Sequence, residues 1–150
     1  MSSPSEISVR ASHVRDMDPA VLYRLLRLRV DVFVVEQTCA YPELDGRELE
    51  EDAVLLWIEQ DGELAATIRL LQDGLDARIG RVATSAAQRG QGLAATLMRE
   101  AISRSSGQVI RLDAQSHLAH WYGGFGFQQD GPEFLEDGIP HVPMVYAQGS

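Results

Sequence analysis

The chain has 150 residues, 45% of them hydrophobic, which is the size of one domain with a single core, so we predict one domain over residues 1–150. The formal net charge is -9, from 22 acidic and 13 basic residues, and it argues against a nucleic acid partner, which usually requires a basic face. No apolar run is long enough to cross a membrane, no signal peptide is recognisable, and a single cysteine excludes an intrachain disulfide framework, so we expect a cytoplasmic protein.

The first half of the chain carries strand patterns around one helix. Alternation of apolar and polar residues, or apolar runs of strand length, predict strands over residues 7–11, 53–60, 63–71 and 77–84. Asp61-Gly62 predicts a tight hairpin turn between the second and third of these strands. Asp18-Pro19 is typical of a helix start, with Asp as N-cap, and the apolar face of that helix extends to Phe33. The β-branched run from Val30 to Val35 makes the end of the helix hard to place.

The second half contains a clear helix after Gly92, because apolar residues recur there every four positions until Gly107 ends it. Asp137-Gly138 predicts a turn before the last strand. The other predicted elements are a strand over residues 109–114, a short helix over 117–123, a strand from 125 to 129 and a last strand over 142–147. This order indicates a mixed sheet with helices packed on it.

The strongest chemical signal is the run Arg89-Gly90-Gln91-Gly92-Leu93-Ala94 before that helix. Glycines expose backbone N–H groups, and the helix start adds unpaired N–H groups and a positive dipole end, so the turn predicts a site for phosphate oxygens. A P-loop is excluded because the chain contains no lysine. A dinucleotide fingerprint fits the glycines, but Ser85 to Arg89 separate them from the preceding strand, which is too polar for a buried first strand.

This loop and a later motif together resemble the GNAT family of N-acetyltransferases. The family's pyrophosphate loop has the form Arg/Gln-x-x-Gly-x-Gly/Ala, which Arg89, Gly92 and Ala94 match. The later motif ends a short helix with aromatic-Tyr and continues to Gly-Phe, as Trp121-Tyr122 and Gly126-Phe127 do. The runs at 29–37 and 137–141 look like the ElaA-like branch of that family. The resemblance implies an α/β (α+β) GNAT fold, with a mixed, mostly antiparallel sheet of about six or seven strands flanked by about four helices.

The resemblance also implies acetyl-CoA as co-substrate, attacked directly by an amine, with no metal. Backbone N–H groups of the glycine-rich turn would hold the pyrophosphate, and the strand before it would pair with the pantetheine arm. A splay beside that strand would leave one N–H group for the oxyanion. Gln115 stands where many members carry Asn and keeps an amide available. The predicted cofactor-binding residues are Val82, Ala83, Thr84, Arg89, Gly90, Gln91, Gly92, Leu93, Ala94 and Gln115.

Three residues are predicted to be catalytic. Tyr122 stands where the family places the general acid that protonates the departing thiolate. Glu36, at the end of an apolar run where a carboxyl pKa can be raised, and His141, an imidazole, are alternative bases for the cationic amine. Tyr41 and Asp45, with Glu36 and His141, are predicted to line the acceptor pocket. The resemblance implies a small-molecule or protein amine as the acceptor, and a homodimer is one open option.

Other interpretations remain open at this level. A non-catalytic acyl-CoA sensor would keep the cofactor groove without acceptor chemistry, and the early Arg-x-x-Val-Phe pattern is similar to that of acyl-homoserine-lactone synthases. The acidic run over residues 43–52 either attracts a cationic substrate or forms a solvated loop. His117 and His120 lie three apart on a predicted helix, but no further ligand is spaced to join them, and we predict no metal site.

Overall fold

The computed structural model describes residues 7–38 and 42–146. In chain order the strands are β1 (Val9–Ser12), β2 (Val54–Gln60), β3 (Glu63–Asp73), β4 (Asp76–Thr84), β5 (Ile110–Gln115), β6 (Gln128–Gln129), β7 (Phe134–Glu136) and β8 (Ile139–Tyr146). The helices are α1 (Pro19–Val30), continued by a π-helical turn (Asp31–Glu36), α2 (Leu93–Arg104) and α3 (Ala119–Gly123). Short 3-10 turns lie at Val14–Asp16, Arg47–Leu49, Ala86–Gln88 and Ser116–Leu118.

All eight strands of the described residues join one sheet in the order β1-β2-β3-β4-β5-β8-β6, and β7 also pairs with β8. The β4–β5 pair is parallel, and the other pairs are antiparallel. The predicted fold class, a mixed and mostly antiparallel sheet with helices, is confirmed. The described part of the chain has eight strands and three α-helices, where the sequence suggested about six or seven and about four.

Two hairpins follow from their turn residues. Asp61 and Gly62 have φ values of 53° and 78°, and Asp137 and Gly138 have values of 50° and 80°. A two-residue hairpin of type I′ requires a positive φ at both positions, which Asp-Gly tolerates. The second turn joins β8 to β7, a strand that the sequence did not predict because it is only three residues long and exposed throughout.

Helix α1 begins as predicted, since Oδ1 of Asp18 accepts a hydrogen bond of 3.0 Å from the amide of Ala20 and Pro19 occupies the first turn. The β-branched run continues it as a π-helical turn that ends at Glu36. A π turn is a wider turn that is frequent at functional sites. This turn places Glu36 at the cavity beside β4, which is described in the next section.

Apolar clusters cover the two faces of the sheet. Along β2, Leu56 and Ile58 pack into the cluster that includes α2, whereas Leu55 and Trp57 pack into the cluster that includes α1. This is the alternation of a strand buried on both faces. No helix of the described residues is long and apolar enough to cross a membrane.

Candidate active site

The sheet opens between β4 and β5. These strands pair only at Ala77 with Ile110 and at Arg78 with Arg111, near the beginning of each strand. On its other edge β4 stays paired with β3 as far as Thr84. The second half of β4 therefore has an edge without a β5 partner, and a cavity of about 980 Å³ lies along the opening. A gap of this size suits a small-molecule ligand.

A β-bulge bends β4 beside this gap. Thr67 pairs with Ala83 and Arg69 pairs with Gly80, so Arg81 and Val82 together oppose the one residue Ile68. Arg81 has a φ of 53°, a left-handed conformation that is uncommon for a side chain of this kind. Bulges re-aim backbone and side chains and often lie next to active sites. The bulge includes Val82, the first residue of the segment that was predicted to pair with the pantetheine arm.

The glycine-rich turn lies between β4 and α2 and is open on its outer side. Gly90 and Gly92 have φ values of 85° and 74°, and a Cβ built on either would meet nothing within 4 Å. Gly92 is the N-cap of α2 and gives the first-turn amides no side-chain acceptor. Apart from bonds inside helices and strands, no backbone hydrogen bond donated by residues 89–94 is found within residues 7–38 and 42–146. The turn therefore presents backbone N–H groups beside the positive end of the α2 dipole, as an anionic ligand requires.

The side chains of this turn differ in their burial and in their hydrogen-bond partners. The Leu93 side chain is buried in the core, so only its backbone is available for a ligand. Gln91 accepts a hydrogen bond of 3.2 Å from the amide of Gln60. Arg89 donates from Nε to the carbonyl oxygen of Thr84 at 3.2 Å and from Nη2 to Oε1 of Glu36 at 2.8 Å.

Glu36 forms an ion pair with Arg89. The hydrogen bond from Arg89 is the main cause that holds the pKa of the Glu36 carboxyl below its usual range, and the carboxylate lies in a solvated position. The raised pKa expected from the apolar run before Glu36 is thus wrong, because the π turn delivers the carboxylate to the protein surface beside a guanidinium. Glu36 lines the cavity, but as a paired carboxylate.

Tyr122 lies on α3 and lines the same cavity. Its ring is in edge-to-face contact with Trp121 at 4.9 Å between centroids and with Phe127 at 6.4 Å. Burial raises the pKa of Tyr122 to about 12. The phenol therefore keeps its proton over the whole physiological range and is available as a hydrogen-bond donor.

His141 lies near the start of β8, opposite Gln115 of β5 and Phe134 of β7. Its Nδ1 lies 2.7 Å from the carbonyl oxygen of Ile139, and its ring stacks on Phe134 with centroids 5.8 Å apart. Gln115 donates a hydrogen bond of 3.3 Å to the side-chain oxygen of Gln37, next to the predicted base on the π turn. The open end of the gap is thus bordered by side chains from β5, β8 and the π turn.

Asp45 also lines the cavity, but it belongs to a buried ionic network. Its Oδ1 lies 2.8 Å from Arg69 and its Oδ2 lies 3.3 Å from Arg81, at the bulge of β4. Partial burial raises the pKa of Asp45, but hydrogen bonds from Arg69 and from the amide of Arg47 outweigh this effect and lower it overall. The other members of the network are Arg29, Glu43 and Glu48, with Arg29 to Glu43 at 2.6 Å and Arg69 to Glu48 at 2.5 Å.

Three guanidinium groups therefore neutralise three carboxylates of the acidic run over residues 43–52. Neither of the two alternatives for this run describes its first half, since Glu43 and Glu48 are buried against arginines from α1, β3 and β4. These three carboxylates are neutralised by arginines and therefore do not attract a cationic substrate. They instead fasten the segment that carries Asp45 to the bulge.

The structure brings most of the predicted site residues to one cavity. Those that line it are Glu36, Asp45, Val82, Ala83, Thr84, Arg89, Ala94, Gln115, Tyr122 and His141. Gly90, Gln91, Gly92 and Leu93 belong to the adjoining turn, and Tyr41 lies outside the described residues. The roles of all these residues remain predictions. Glu136 and Arg81 also line the cavity, and they are among the lining residues that were not predicted as site residues. The Asp137-Gly138 turn was the available signal for Glu136, because it determines which residues of the hairpin face each other.

Comparisons with known proteins agree with this geometry. The family model "Acetyltransferase (GNAT) domain" matches residues 26–147. A UPF0039 protein of Mycobacterium tuberculosis is 46% identical over 143 residues, which cover 92% of each chain. The crystal structure of an acyl-CoA N-acyltransferase from Pseudomonas aeruginosa is similar to this chain with a TM-score of 0.89 and 40% identity, covering 95% of this chain and 100% of that one.

The resemblance to the ElaA-like branch is also confirmed. The crystal structure of Escherichia coli ElaA is similar with a TM-score of 0.88 and 34% identity, and the match covers 95% of this chain and 100% of that one. The range matched by the family model includes the opening between β4 and β5, the glycine-rich turn and the last motif. The chain therefore belongs to the GNAT family of acetyltransferases, enzymes that use acyl-CoA.

Proposed function

We propose that this enzyme transfers an acetyl group from acetyl-CoA to a primary amine, by direct attack within a ternary complex. The observation that carries the proposal is the opening between β4 and β5, which ends at an exposed glycine-rich turn at the N-terminus of α2. The similar Pseudomonas aeruginosa protein is named an acyl-CoA N-acyltransferase, which supports the same class of co-substrate. We also propose one domain over residues 1–150, working in the cytoplasm, alone or as a homodimer.

The chain can hold acetyl-CoA along this opening. Backbone N–H groups from Arg89 to Ala94 bind the pyrophosphate, helped by the dipole of α2. The unpaired edge of β4 at Val82, Ala83 and Thr84 pairs with the amide groups of the pantetheine arm, as an added strand would. Gln115 and Tyr122 border the opening on its β5 side, where the thioester then lies.

The chemistry requires one bond to form and one to break. The amine lone pair forms the C–N bond, the carbonyl π pair moves to oxygen, and a backbone N–H group beside the bulge stabilises that oxyanion. The oxyanion pair then re-forms the C=O bond, the C–S bond breaks with its electron pair on sulfur, and the sulfur takes a proton from the Tyr122 hydroxyl group. The proton that the amide nitrogen loses replaces the one given by Tyr122, so the hydroxyl group is restored.

The raised pKa of Tyr122 is compatible with this role. A free thiol has a pKa of about 8.5, so a phenol with a pKa of about 12 is the weaker acid in comparison. The burial that raises the phenol pKa also raises that of a thiol in the same cavity, because both ionised forms lose solvation. Tyr122 is therefore protonated when the reaction begins, and it donates its proton to the sulfur as the C–S bond breaks.

A binding experiment tests the site of the pyrophosphate. Gly92→Asp places a negative charge and a strained residue in the turn, and we expect acetyl-CoA binding, followed by calorimetry, to be lost. Gly107→Asp is the matched control, because Gly107 also has a positive φ, 82°, and open space around it, at the other end of α2. Retained binding in Gly92→Asp would contradict the assignment of the turn.

A second experiment separates the enzyme from the sensor. Release of free thiol from acetyl-CoA is followed over a panel of primary amines, including small diamines and lysine peptides. We expect thiol release to depend on the amine. Tight acetyl-CoA binding without release under any amine would favour the sensor instead.

A further inference from the structure

The pairing register of the β7–β8 hairpin places three side chains on one face of the sheet. The Asp137-Gly138 turn fixes the register, so Phe134 pairs with His141 and Glu136 pairs with Ile139. Residues two apart on a strand share a face, and directly paired residues also share one, so Phe134, Glu136 and His141 lie side by side. The side-chain contacts agree: Phe134 stacks on the imidazole, and Oε2 of Glu136 lies 3.6 Å from Nε2 of His141.

The hydrogen bond at Nδ1 assigns the two ring nitrogens of His141. The carbonyl oxygen of Ile139 only accepts, so a contact of 2.7 Å requires a proton on Nδ1 whatever the charge of the ring. In the neutral ring Nε2 is then the atom with the lone pair. Because His141 lines the cavity and is mostly buried, Nε2 is a base held in a fixed direction.

The ion pairs around the cavity distinguish Glu136 from three other carboxylates that line it. Glu36 is paired with Arg89, Asp45 with Arg69 and Arg81, and Asp113 with Arg78. Within the part of the chain that the structure describes, His141 is the one ion-pair partner found for Glu136, and no guanidinium group neutralises it. A separation of 3.6 Å is too long for a direct hydrogen bond and leaves this carboxylate able to balance a positive charge that arrives at Nε2.

We propose that Nε2 of His141 removes the proton from the acceptor ammonium group and that Glu136 is its positioning residue, which stabilises the imidazolium. This assignment rests on the proposed acetyl transfer and deepens it. The ammonium group gives one proton to Nε2, so the amine gains its lone pair and His141 gains a positive charge beside the ionised Glu136. After acetyl transfer His141 returns that proton to solvent. Glu36, tied to Arg89, is then not the base.

The protonation of the two ring nitrogens of His141 can be tested without measuring turnover. Long-range proton–nitrogen NMR spectra of the imidazole groups distinguish the two neutral tautomers, and the loss of one set of signals in His141→Gln assigns them among the four histidines. We expect a proton on Nδ1 and none on Nε2 in neutral His141. A proton on Nε2 would overturn the proposal, and because no acceptor is involved, this outcome is independent of whether acetyl transfer itself is observed.

The role of Glu136 is tested with two amines of different basicity. An alkylamine such as butylamine is cationic at neutral pH and needs the base, whereas methoxyamine is already neutral. For Glu136→Gln we expect kcat with the alkylamine to fall on the order of tenfold, part of what a general base contributes, while the KM for acetyl-CoA changes by less than about twofold. The fall with methoxyamine should be much smaller. Glu133→Gln is the control, because it removes the same charge three positions away, from a carboxylate that binds Ser116.

A purely structural role for Glu136 predicts a different pattern. Misplacement of β8 would lower turnover equally with both amines, since both must reach the same thioester. Equal losses, or an alkylamine kcat in Glu136→Gln equal to that of the unaltered enzyme, would therefore overturn the assignment.

Discussion

Replacing Tyr122 by phenylalanine should change how stability depends on pH in the alkaline range. Burial raises the pKa of Tyr122 from its ordinary value of 10.0 to about 12, whereas the unfolded chain ionises near the ordinary value. Above pH 10 the unfolded state therefore releases a proton that the folded state keeps, and the free energy of unfolding falls with rising pH. The full stability is present below pH 10 and is lost progressively as the pH rises through 12.

The size of the effect follows from the shift. One pKa unit corresponds to about 1.4 kcal/mol, so the unaltered protein should lose about 1.4 kcal/mol by pH 11 through this group alone. For a chain of this length such a loss lowers Tm by roughly 3–6 °C. Tyr122→Phe keeps the ring contacts with Trp121 and Phe127 but removes the ionisable group, so the variant should be spared this loss.

Urea unfolding at several pH values between 8 and 11 measures the difference. Tyr23→Phe is the matched control, since it removes the same oxygen from a side chain that is 69% exposed. If the unaltered protein and Tyr122→Phe lose stability in parallel up to pH 11, the hydroxyl group is solvated and the argument from burial fails. In turnover assays the same variant should lose on the order of 100-fold in kcat, with acetyl-CoA affinity retained, if the hydroxyl group is the acid.

Two further substitutions probe the arginines. Arg89→Met should weaken acetyl-CoA binding by about 10- to 100-fold, as expected for one charge-assisted hydrogen bond to phosphate, and calorimetry measures this effect. The same substitution should let the pKa of Glu36 rise towards its usual value, which carbon NMR titration of the carboxyl groups detects. An unchanged pKa of Glu36 would contradict the ion pair. Arg29→Met should destabilise the protein by about 3–5 kcal/mol, because Arg29 is fully buried and its loss leaves the three carboxylates of Glu43, Asp45 and Glu48 with two guanidinium groups. Arg27→Met, at an exposed pair on the same helix, should cost less than about 1 kcal/mol, and equal urea midpoints for these two variants would refute the network.

Local chemistry made much of the fold predictable. The turns at Asp61-Gly62 and Asp137-Gly138 and the N-cap at Asp18 are determined by residues adjacent in the chain, and the structure confirms all three. The glycine-rich turn was also predictable from local residues, because Gly90 and Gly92 supply the positive φ values that it requires. Strand β7 was missed, because three exposed residues carry no periodic pattern.

The electrostatics of the site could not be predicted in this way. Glu36 and Arg89 are 53 positions apart, and their pairing depends on where the π turn meets the end of β4. The acidic run likewise pairs with arginines from three distant elements, which sequence composition does not reveal. Partners that are far apart in the chain decide pKa directions and net local charge, so both required the structure.

The cations of the cavity wall have a chemical consequence for an enzyme of this class. Arg47, Arg69, Arg78, Arg81 and Arg89 are guanidinium groups, and no lysine occurs anywhere in the chain. A guanidinium group keeps its proton at any physiological pH and offers no lone pair to an activated acyl group. A lysine in one of these positions would be a competing nucleophile beside the thioester. Its absence removes acylation of a lysine side chain of the cavity wall as a competing reaction.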